Sequence, residues 1–164
     1  MRKLFKNFER KVNMSDWKSK SICDYDVMLY GILLHPCLFG ENASHVMAHP
    51  SCVSHTLSYV GLGLTGNLLG SILGSALFPG SELGVSFCSS LGTSSLIGSY
   101  AGDVRMRLRK KYDIEGDRWD DFLVHAICSP CAICQEAQEI RLRLEHEPER
   151  DAQWTPVPQE MTGK

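Results

Sequence analysis

Formal charge is almost absent from the middle of this chain. Between residues 56 and 102 the only charged side chain is Glu82. Two apolar arms occupy this stretch, at residues 57–78 and 83–101, and a Pro-Gly turn joins them. A bilayer core of about 30 Å takes roughly 20 helical residues to cross, and an uncharged run of this length is the usual signature of a membrane helix. Both arms are long enough to span, although Gly and Ser fill many of their positions.

A secretory signal is also lacking. No apolar stretch follows the basic residues of the N-terminal sequence MRKLFKNFERK, so a signal peptide is not expected. The seven cysteines are therefore expected to lie in a reducing compartment. In such a compartment, clustered cysteines serve metal binding, thiol chemistry or acylation more often than disulfide bonding.

The basic clusters of the chain contain no nucleic-acid-binding motif, so nucleic acid is not an expected partner. Residues 1–20 carry seven Lys or Arg, and residues 105–111 carry five. Because these clusters flank the apolar arms, the tendency of basic residues to remain in the cytosol predicts that both termini are cytosolic and that only the turn at 79–82 crosses the membrane. The alternative is that the basic residues form solvated helix faces.

The arms contain small residues at helical spacing. These are Gly66, Gly70 and Gly74 in the first arm and Gly84, Cys88 and Gly92 in the second. Such spacing lets two helix backbones approach closely, as paired membrane helices do. We therefore predict an antiparallel helical hairpin at 56–102, in contact with membrane lipid and able to self-associate. Two alternatives stay open, a glycine-rich hairpin buried in a soluble domain and a hairpin lying in the membrane interface.

The whole chain is predicted to be mainly α, a small cysteine-rich helical domain built around this Gly/Ser-rich hairpin. A basic segment at 1–16, with the spacing of an amphipathic helix, precedes the domain at 17–147. The polar, proline-bearing tail at 148–164 is predicted to be disordered.

Before the hairpin, Asp26 is expected to cap a helix at 27–34 that Pro36 ends. A proline also biases the residue before it towards extended geometry. The sequence therefore predicts that the side chains of His35 and Cys37 point to one side of an extended segment.

After the hairpin, apolar residues recur with helical periodicity. Val104, Leu108 and Tyr112 recur at intervals of four, with Arg105 and Arg109 on another face. In the next helix, which Asp117 is expected to cap, one apolar stripe is predicted to lie in the core: Trp119, Phe122, Leu123, Ala126 and Ile127. Ser129-Pro130 is expected to start another helix, which leaves Cys128 at the end of one helix and Cys131 in the first turn of the next. Glu139 and Arg143, four residues apart, are expected to pair on the outside.

These blocks resemble a family named after placenta-specific gene eight, which includes plant cadmium-resistance proteins, cell number regulators and cornifelin. The resemblance covers about residues 15–143. It rests on Trp17 and Cys23, on Pro36-Cys37-Leu38-Phe39-Gly40 followed by Asn42, on Cys52, and most specifically on the stretches 107–116 and 128–139. Where the family carries Cys-Pro-Cys, this chain has His35-Pro36-Cys37, and His is a competent zinc ligand.

Thiol and imidazole donors lie in two blocks that the hairpin separates. The candidate metal ligands are Cys23, His35, Cys37, Cys52, Cys128 and Cys131. Four such donors would complete a tetrahedral zinc site. Because an antiparallel hairpin returns the chain to the side it left, the two blocks are predicted to meet in space. The alternatives are that the cysteines are small buried hydrophobes or that those near the membrane are acylated.

The resemblance implies a membrane-associated protein without catalytic activity, from a family linked to zinc or cadmium handling and to the regulation of cell number. A soluble or peripheral zinc-binding scaffold that regulates growth is the alternative. A thiol enzyme would need a cysteine with His35 or His125 as its base, and no family-specific motif surrounds these residues.

Overall fold

The computed structural model describes residues 17, 33–47, 51–146 and 148–154. Within these ranges the chain forms helices and no strands. The helices are α1 (His35–Ser44), α2 (Cys52–Leu77), α3 (Glu82–Tyr112), α4 (Arg118–His146) and α5 (Pro148–Gln153). The predicted class, a mainly α cysteine-rich domain with a central apolar hairpin, is confirmed.

Helices α2 and α3 form the predicted antiparallel hairpin. Each begins at a serine cap, because the hydroxyl of Ser51 accepts the backbone N–H of Ser54 at 3.3 Å and that of Ser81 accepts the N–H of Gly84 at 3.2 Å. The turn between them contains Gly80 at φ 82°, a conformation that favours glycine.

The two arms pack through their small residues. A Cβ atom added at Gly66 would lie 2.6 Å from the carbonyl oxygen of Gly92, and one added at Gly74 would lie 2.7 Å from the Cα of Val85. At Gly70 it would collide with the carbonyl oxygen of Cys88. The backbones therefore touch at three successive turns, and no larger residue fits there without separating the helices.

Helix α3 continues about three turns beyond the apolar arm before it ends at Asp113. That residue has φ 55°, and the helix is closed by its N–H donating to the carbonyl of Arg109. The apolar residues Val104, Leu108 and Tyr112, which recur at intervals of four, are buried. They pack in one core with α1 and with the second half of α4, including Phe39 and Ile133.

The predicted break within the last long helix is also present. Asp117 caps the start of α4 by accepting the N–H of Trp119 at 3.3 Å. Cys128 has non-helical angles, φ −144° and ψ 74°, and a second helical segment starts at Ser129 with Pro130 in its first turn.

The prediction of an extended segment at His35–Cys37 is wrong. These residues form the first turn of α1, and the chain before them turns at Leu34. The physical reason is that proline, which disrupts a helix interior, is well suited to a first turn, where its missing N–H has no intrahelical partner. Of the helix predicted at 27–34, residues 27–32 and its cap lie outside the described residues.

The prediction that the apolar stripe of α4 lies in the core is wrong. Trp119, Leu123 and Ile127 are 71%, 46% and 67% exposed. The buried side of this segment carries Asp121 and His125 instead. A periodic apolar stripe identifies one face of a helix. Here the opposite face is buried, because it carries Asp121, the partner of Arg105 and Arg109 in α3.

The alternative in which residues 105–111 form a solvated face is also wrong. Arg105, Arg107, Arg109 and Lys111 are buried, and only Lys110 of this cluster is exposed. Likewise, Arg143 donates to Glu139 at 2.8 Å as predicted, but both side chains are buried rather than on the outside. Each buried charge has a partner on the same or a neighbouring helix, which makes the burial tolerable.

Two predicted segments fall wholly or partly outside the described residues. The basic segment at 1–16 is one of them, and residues 155–164 of the tail are the other. Residues 148–153, which the sequence assigned to the disordered tail, form the short helix α5. It begins at Pro148, a residue suited to the first position of a helix.

Candidate functional site

The outside of the hairpin is apolar and exposed, whereas Gly66, Gly70 and Gly74 are buried in the helix contact. The exposed large side chains are Val53, Leu57, Val60, Leu64, Leu68, Leu69, Ile72, Leu73, Leu77, Phe78, Leu83, Phe87 and Leu91. We name this set the apolar hairpin surface. A soluble monomer rarely exposes so continuous an apolar patch, so this surface calls for a partner or a lipid environment.

The hydroxyl groups of the hairpin are hydrogen-bonded to its own backbone. Exposed Ser75, Ser90 and Ser99 each donate to the carbonyl oxygen four residues earlier, at 2.8, 2.9 and 2.8 Å. Across the helix contact, Ser89 and Thr93 donate to carbonyl oxygens of α2, both at 3.4 Å. These hydroxyls therefore do not require water as a partner.

By length and composition, one helix among the described residues could cross a membrane, α2. At about 1.5 Å per residue, its 26 residues are longer than the about 30 Å core of a bilayer. The second arm, which the sequence also predicted to be long enough to span, does not meet the same criterion, since its many Gly and Ser residues lower its hydropathy.

A buried ionic cluster lies where α3 crosses α4. Arg105 approaches Asp121 with Nε at 3.3 Å from Oδ1, and its Nη1 lies 3.3 Å from Oε1 of Glu136. Arg109 donates to the other oxygen of Asp121 from both Nε and Nη2. His125 donates its Nε2–H to Oε1 of Glu136 at 2.8 Å. We name these five residues the ionic cluster; its two guanidinium groups balance its two carboxylates.

Burial raises the pKa of the Asp121 carboxyl, and the hydrogen bond and charge of Arg109, followed by the charge of Arg105, act against that rise. Arg105 also stacks on Trp17, with its guanidinium carbon 4.2 Å from the ring centroid. The sequence analysis did not find this cluster. The sequence signal for it lay in the family stretches 107–116 and 128–139. They contain Arg109 and Glu136, which belong to one buried network.

A hydrogen-bonded chain connects the hairpin to the ionic cluster. The hydroxyls of Tyr59 and Ser129 are 2.8 Å apart, and Ser129 Oγ lies 3.4 Å from Nδ1 of His125. Because Nε2 of His125 faces the carboxylate of Glu136, its Nδ1 is the acceptor for Ser129, and Ser129 accepts from Tyr59. The break between the two halves of α4 is thus held to α2 at one point.

The candidate metal ligands occupy different surroundings. Cys37 and Cys52 have exposed thiols, and the Cys52 sulfur lies 4.0 Å from the backbone oxygen of Cys37. Cys128 and Cys131 are joined by a disulfide bond across the break in α4. Cys23 lies outside the described residues.

The helices that carry the two donor blocks do meet. The His35 ring lies 5.8 Å from the ring of Tyr59, whose hydroxyl is bonded to Ser129 between the two disulfide cysteines. In addition, the side-chain amide of Asn42 donates to the carbonyl of Ile133 at 2.9 Å. No group of three or more His, Cys, Asp and Glu side chains with metal-binding geometry occurs within the described ranges. The bonded sulfurs become donors only after reduction, and the zinc site therefore stays a prediction.

Comparison with known proteins gives a consistent family. The model of the PLAC8 family matches residues 17–139. Plant cadmium resistance 10 of Arabidopsis thaliana is 35% identical over 114 residues, covering 66% of this chain and 52% of that protein. Cell number regulator 8 of Zea mays is 25% identical over 149 residues, covering 75% of this chain and 55% of that protein.

One shorter match has a higher sequence identity. Plant cadmium resistance 12 of Arabidopsis thaliana is 48% identical over 44 residues, which is 27% of each chain. The chain thus spans about half the length, or less, of these curated relatives. No solved structure matches the chain. The family model covers most of the domain, including both cysteine blocks and the ionic cluster, and the chain therefore belongs to the PLAC8 family.

Proposed function

We propose that this protein is a membrane-embedded, non-enzymatic member of its family, with the hairpin inserted in the bilayer and the ionic cluster in the cytosol. The observation that carries this proposal is the inverted packing of the hairpin, with glycines inside and leucines outside. In water that arrangement would forgo the burial that normally stabilises a fold. In lipid it is the expected one, because helices there associate through close backbone contact rather than through the hydrophobic effect.

The exposed stripe of α4 supports the same placement. Phe122, in the same helical turn as Trp119, packs against Gly98 and Gly102 of α3, and its ring is edge-on to Trp119. The apolar face of α4 therefore adjoins the base of the hairpin. An exposed Trp beside an apolar surface is typical of the membrane interface, where its amphipathic ring is stabilised. The positive-inside tendency places both termini in the cytosol.

Carbonate extraction tests this proposal. Wild-type protein should stay in the membrane pellet after the wash. Leu64→Lys combined with Leu68→Lys should release it, because a charged side chain near the middle of a membrane helix costs about 2.5–3.5 kcal/mol. A matched pair outside the hairpin, Glu41→Lys with Glu145→Lys, should behave like wild type. Recovery of the wild-type protein in the soluble fraction without detergent would contradict the proposal.

We further propose that the protein binds a soft divalent metal, zinc or cadmium, through its thiols in the reduced state. The contacts between α1, α2 and the break in α4 support this. The Cys52 sulfur lies 4.0 Å from the backbone oxygen of Cys37, and the His35 ring lies 5.8 Å from that of Tyr59, whose hydroxyl is bonded to Ser129 between Cys128 and Cys131. The names of the relatives matched in Arabidopsis thaliana are consistent with cadmium as a ligand. Sulfur and imidazole are donors that both metals accept.

Metal analysis of reduced, purified protein tests this second proposal. We expect bound zinc after dialysis against zinc under reducing conditions, and its loss in the variant Cys37→Ser with Cys131→Ser. Cys88→Ser, in the helix contact, should retain the metal. A reduced protein that binds no zinc or cadmium would contradict the proposal.

The arrangement of Ser129, His125 and Glu136 does not support an enzyme. A serine hydroxyl, an imidazole and a carboxylate bonded in this order also form the catalytic triad of serine hydrolases. However, the His125 and Glu136 side chains are completely buried, and the Ser129 hydroxyl is already bonded to Tyr59. These contacts give the three residues a structural role at the helix break.

A further inference from the structure

The disulfide between Cys128 and Cys131 lies in a part of the chain that the proposed topology places in the cytosol. The reducing pool of the cytosol removes most disulfides, and those that do form there are usually transient and act in redox sensing or catalysis. The motif is Cys-Ser-Pro-Cys, a two-residue spacing that also occurs in dithiol–disulfide exchange sites of unrelated fold.

The pair is accessible to a small thiol. Both cysteines are half-buried, whereas Cys134, one turn further along the same helix, is only 2% exposed. The disulfide closes the break in α4, with Cys128 before the second helical segment and Cys131 in its first turn. The N-terminus of a helix stabilises a thiolate, so a thiolate at Cys128, which precedes the second helical segment, lies in a favourable field and can react with glutathione.

We propose that Cys128 and Cys131 form a redox-active pair that exchanges with a low-molecular-weight cytosolic thiol such as glutathione. One glutathione thiolate attacks a sulfur of the pair, the S–S bond breaks, and the other protein sulfur leaves as a thiolate that takes up a proton. A second glutathione thiolate then attacks the mixed disulfide. The products are the protein dithiol and glutathione disulfide, so two electrons pass from two glutathione molecules to the protein.

This exchange determines whether the chain offers two sulfur donors. In the oxidised state, shown by the structure, both sulfurs are bonded to each other and neither is a thiolate. In the reduced state, two half-buried thiols are present in α4, the helix whose Ile133 carbonyl accepts the side-chain amide of Asn42 in α1. The cytosolic setting of this exchange and its consequence for metal binding rest on the proposed function.

The break also connects the pair to the hairpin. Ser129 lies inside the ring that the disulfide closes, and its hydroxyl is held by Tyr59 of α2. Reduction opens that ring, and the constraint on Ser129 is relaxed. The redox state thus bears on a hydrogen-bonded contact between the break in α4 and the hairpin.

Peptide mapping of the full chain in detergent tests the proposal. The protein is equilibrated with reduced and oxidised glutathione in ratios that span those of the endoplasmic reticulum and the cytosol. It is then quenched with acid, unfolded and alkylated without reductant. Trypsin releases a peptide from Trp119 to Arg141 that contains Cys128, Cys131 and Cys134. We expect one label on this peptide at oxidising ratios, at Cys134, and three labels at the cytosolic ratio.

Two variants make the result specific. Cys131→Ser should trap glutathione on Cys128, seen as a glutathione adduct of the same peptide. Cys134→Ser should keep the exchange, with its labels changing from none to two. A single label at every ratio would show a static structural disulfide, and three labels at every ratio would show that the pair does not form. Either result, or a Cys131→Ser protein without an adduct, would overturn the proposal.

This readout is independent of the membrane. If carbonate extraction contradicts the embedded hairpin while the peptide still changes from one label to three, the redox pair stands and the proposed function fails. If the hairpin is confirmed and the labels do not change, the inference alone fails.

Discussion

The two halves of helix α3 differ in what they bury. From Glu82 to Ser99 the helix buries small residues against glycines of α2 and exposes Leu83, Phe87 and Leu91. From Gly102 to Tyr112 it buries four cationic side chains together with an apolar stripe. One continuous helix therefore buries no charged side chain in its first half and buries paired charged side chains in its second half.

The proposed insertion of the hairpin in a bilayer accounts for this difference. Apolar side chains facing outwards are favourable only where water is absent. Buried guanidinium groups are tolerable only where carboxylates from another helix neutralise them. The change of environment occurs near Gly98 and Gly102, where Phe122 of α4 first packs against α3.

The largest effect is expected at the ionic cluster. Arg105→Met removes the guanidinium that joins Asp121 to Glu136 and leaves buried carboxylate charge uncompensated, which costs about 3–5 kcal/mol. We expect a large decrease in the free energy of unfolding, measured by circular dichroism during thermal unfolding in detergent. Lys110→Met, at an exposed position of the same helix, is the matched control. Equal stability of the two variants would show that the buried ion pairs do not stabilise the packing of α3 against α4.

An intermediate effect is expected in the helix contact. Gly70→Leu places a side chain where the backbone of Cys88 and Ser89 already lies, and such overpacking costs about 1–3 kcal/mol or more. The control is Gly61→Leu in the same helix, where an added Cβ meets no atom within 4 Å. Thermal unfolding and folding yield in detergent measure both. If Gly61→Leu destabilises more than Gly70→Leu, the contact face has been assigned wrongly.

The smallest effect is expected from a single hydrogen bond across the hairpin. Ser89→Ala removes the donor to the Asn67 carbonyl at 3.4 Å, and such bonds between membrane helices contribute about 0.6 kcal/mol on average. Ser90→Ala, whose hydroxyl bonds only its own helix, is the control. Chemical unfolding in mixed detergent should resolve the order Ser90→Ala, Ser89→Ala and Gly70→Leu. A loss at Ser89→Ala as large as that at Gly70→Leu would contradict backbone packing as the main contribution.

The hairpin could be predicted from the sequence because its signals are local. The spacing of Gly66, Gly70 and Gly74 and the Pro-Gly turn each depend on residues within one or two turns. The break at Cys128 was predictable for the same reason, since Ser129-Pro130 is a local start signal.

The ionic cluster could not be predicted in this way. Arg105 is paired with residues 16 and 31 positions later, a separation that no helical spacing rule covers. For the same reason the stripe of Trp119, Leu123 and Ile127 was assigned to the core. Periodicity shows that a helix has an apolar face, and the partners of the opposite face decide which of the two is buried.

The sequence identified which residues could bind a metal, but it did not predict their directions or the bond between two of them. Pro36 was taken to end a helix, whereas it lies in the first turn of α1 and so sets the directions of His35 and Cys37. The bond between Cys128 and Cys131 follows from the geometry of the break, which brings their Cα atoms to 5.4 Å. Spacing alone is compatible with both metal binding and a disulfide.

The central claim, that the hairpin crosses a membrane with both ends on one side, is tested most directly by labelling single added cysteines. Pro79→Cys and Gln153→Cys add one exposed cysteine each, at the hairpin turn and at the end of α5. A membrane-impermeant polyethylene glycol maleimide is added to sealed vesicles with the cytosolic face outside, and added labels are counted against the wild type by gel shift. We predict one extra label at Gln153→Cys before detergent and at Pro79→Cys only after it. An extra label at Pro79→Cys before detergent would show that the turn has not crossed.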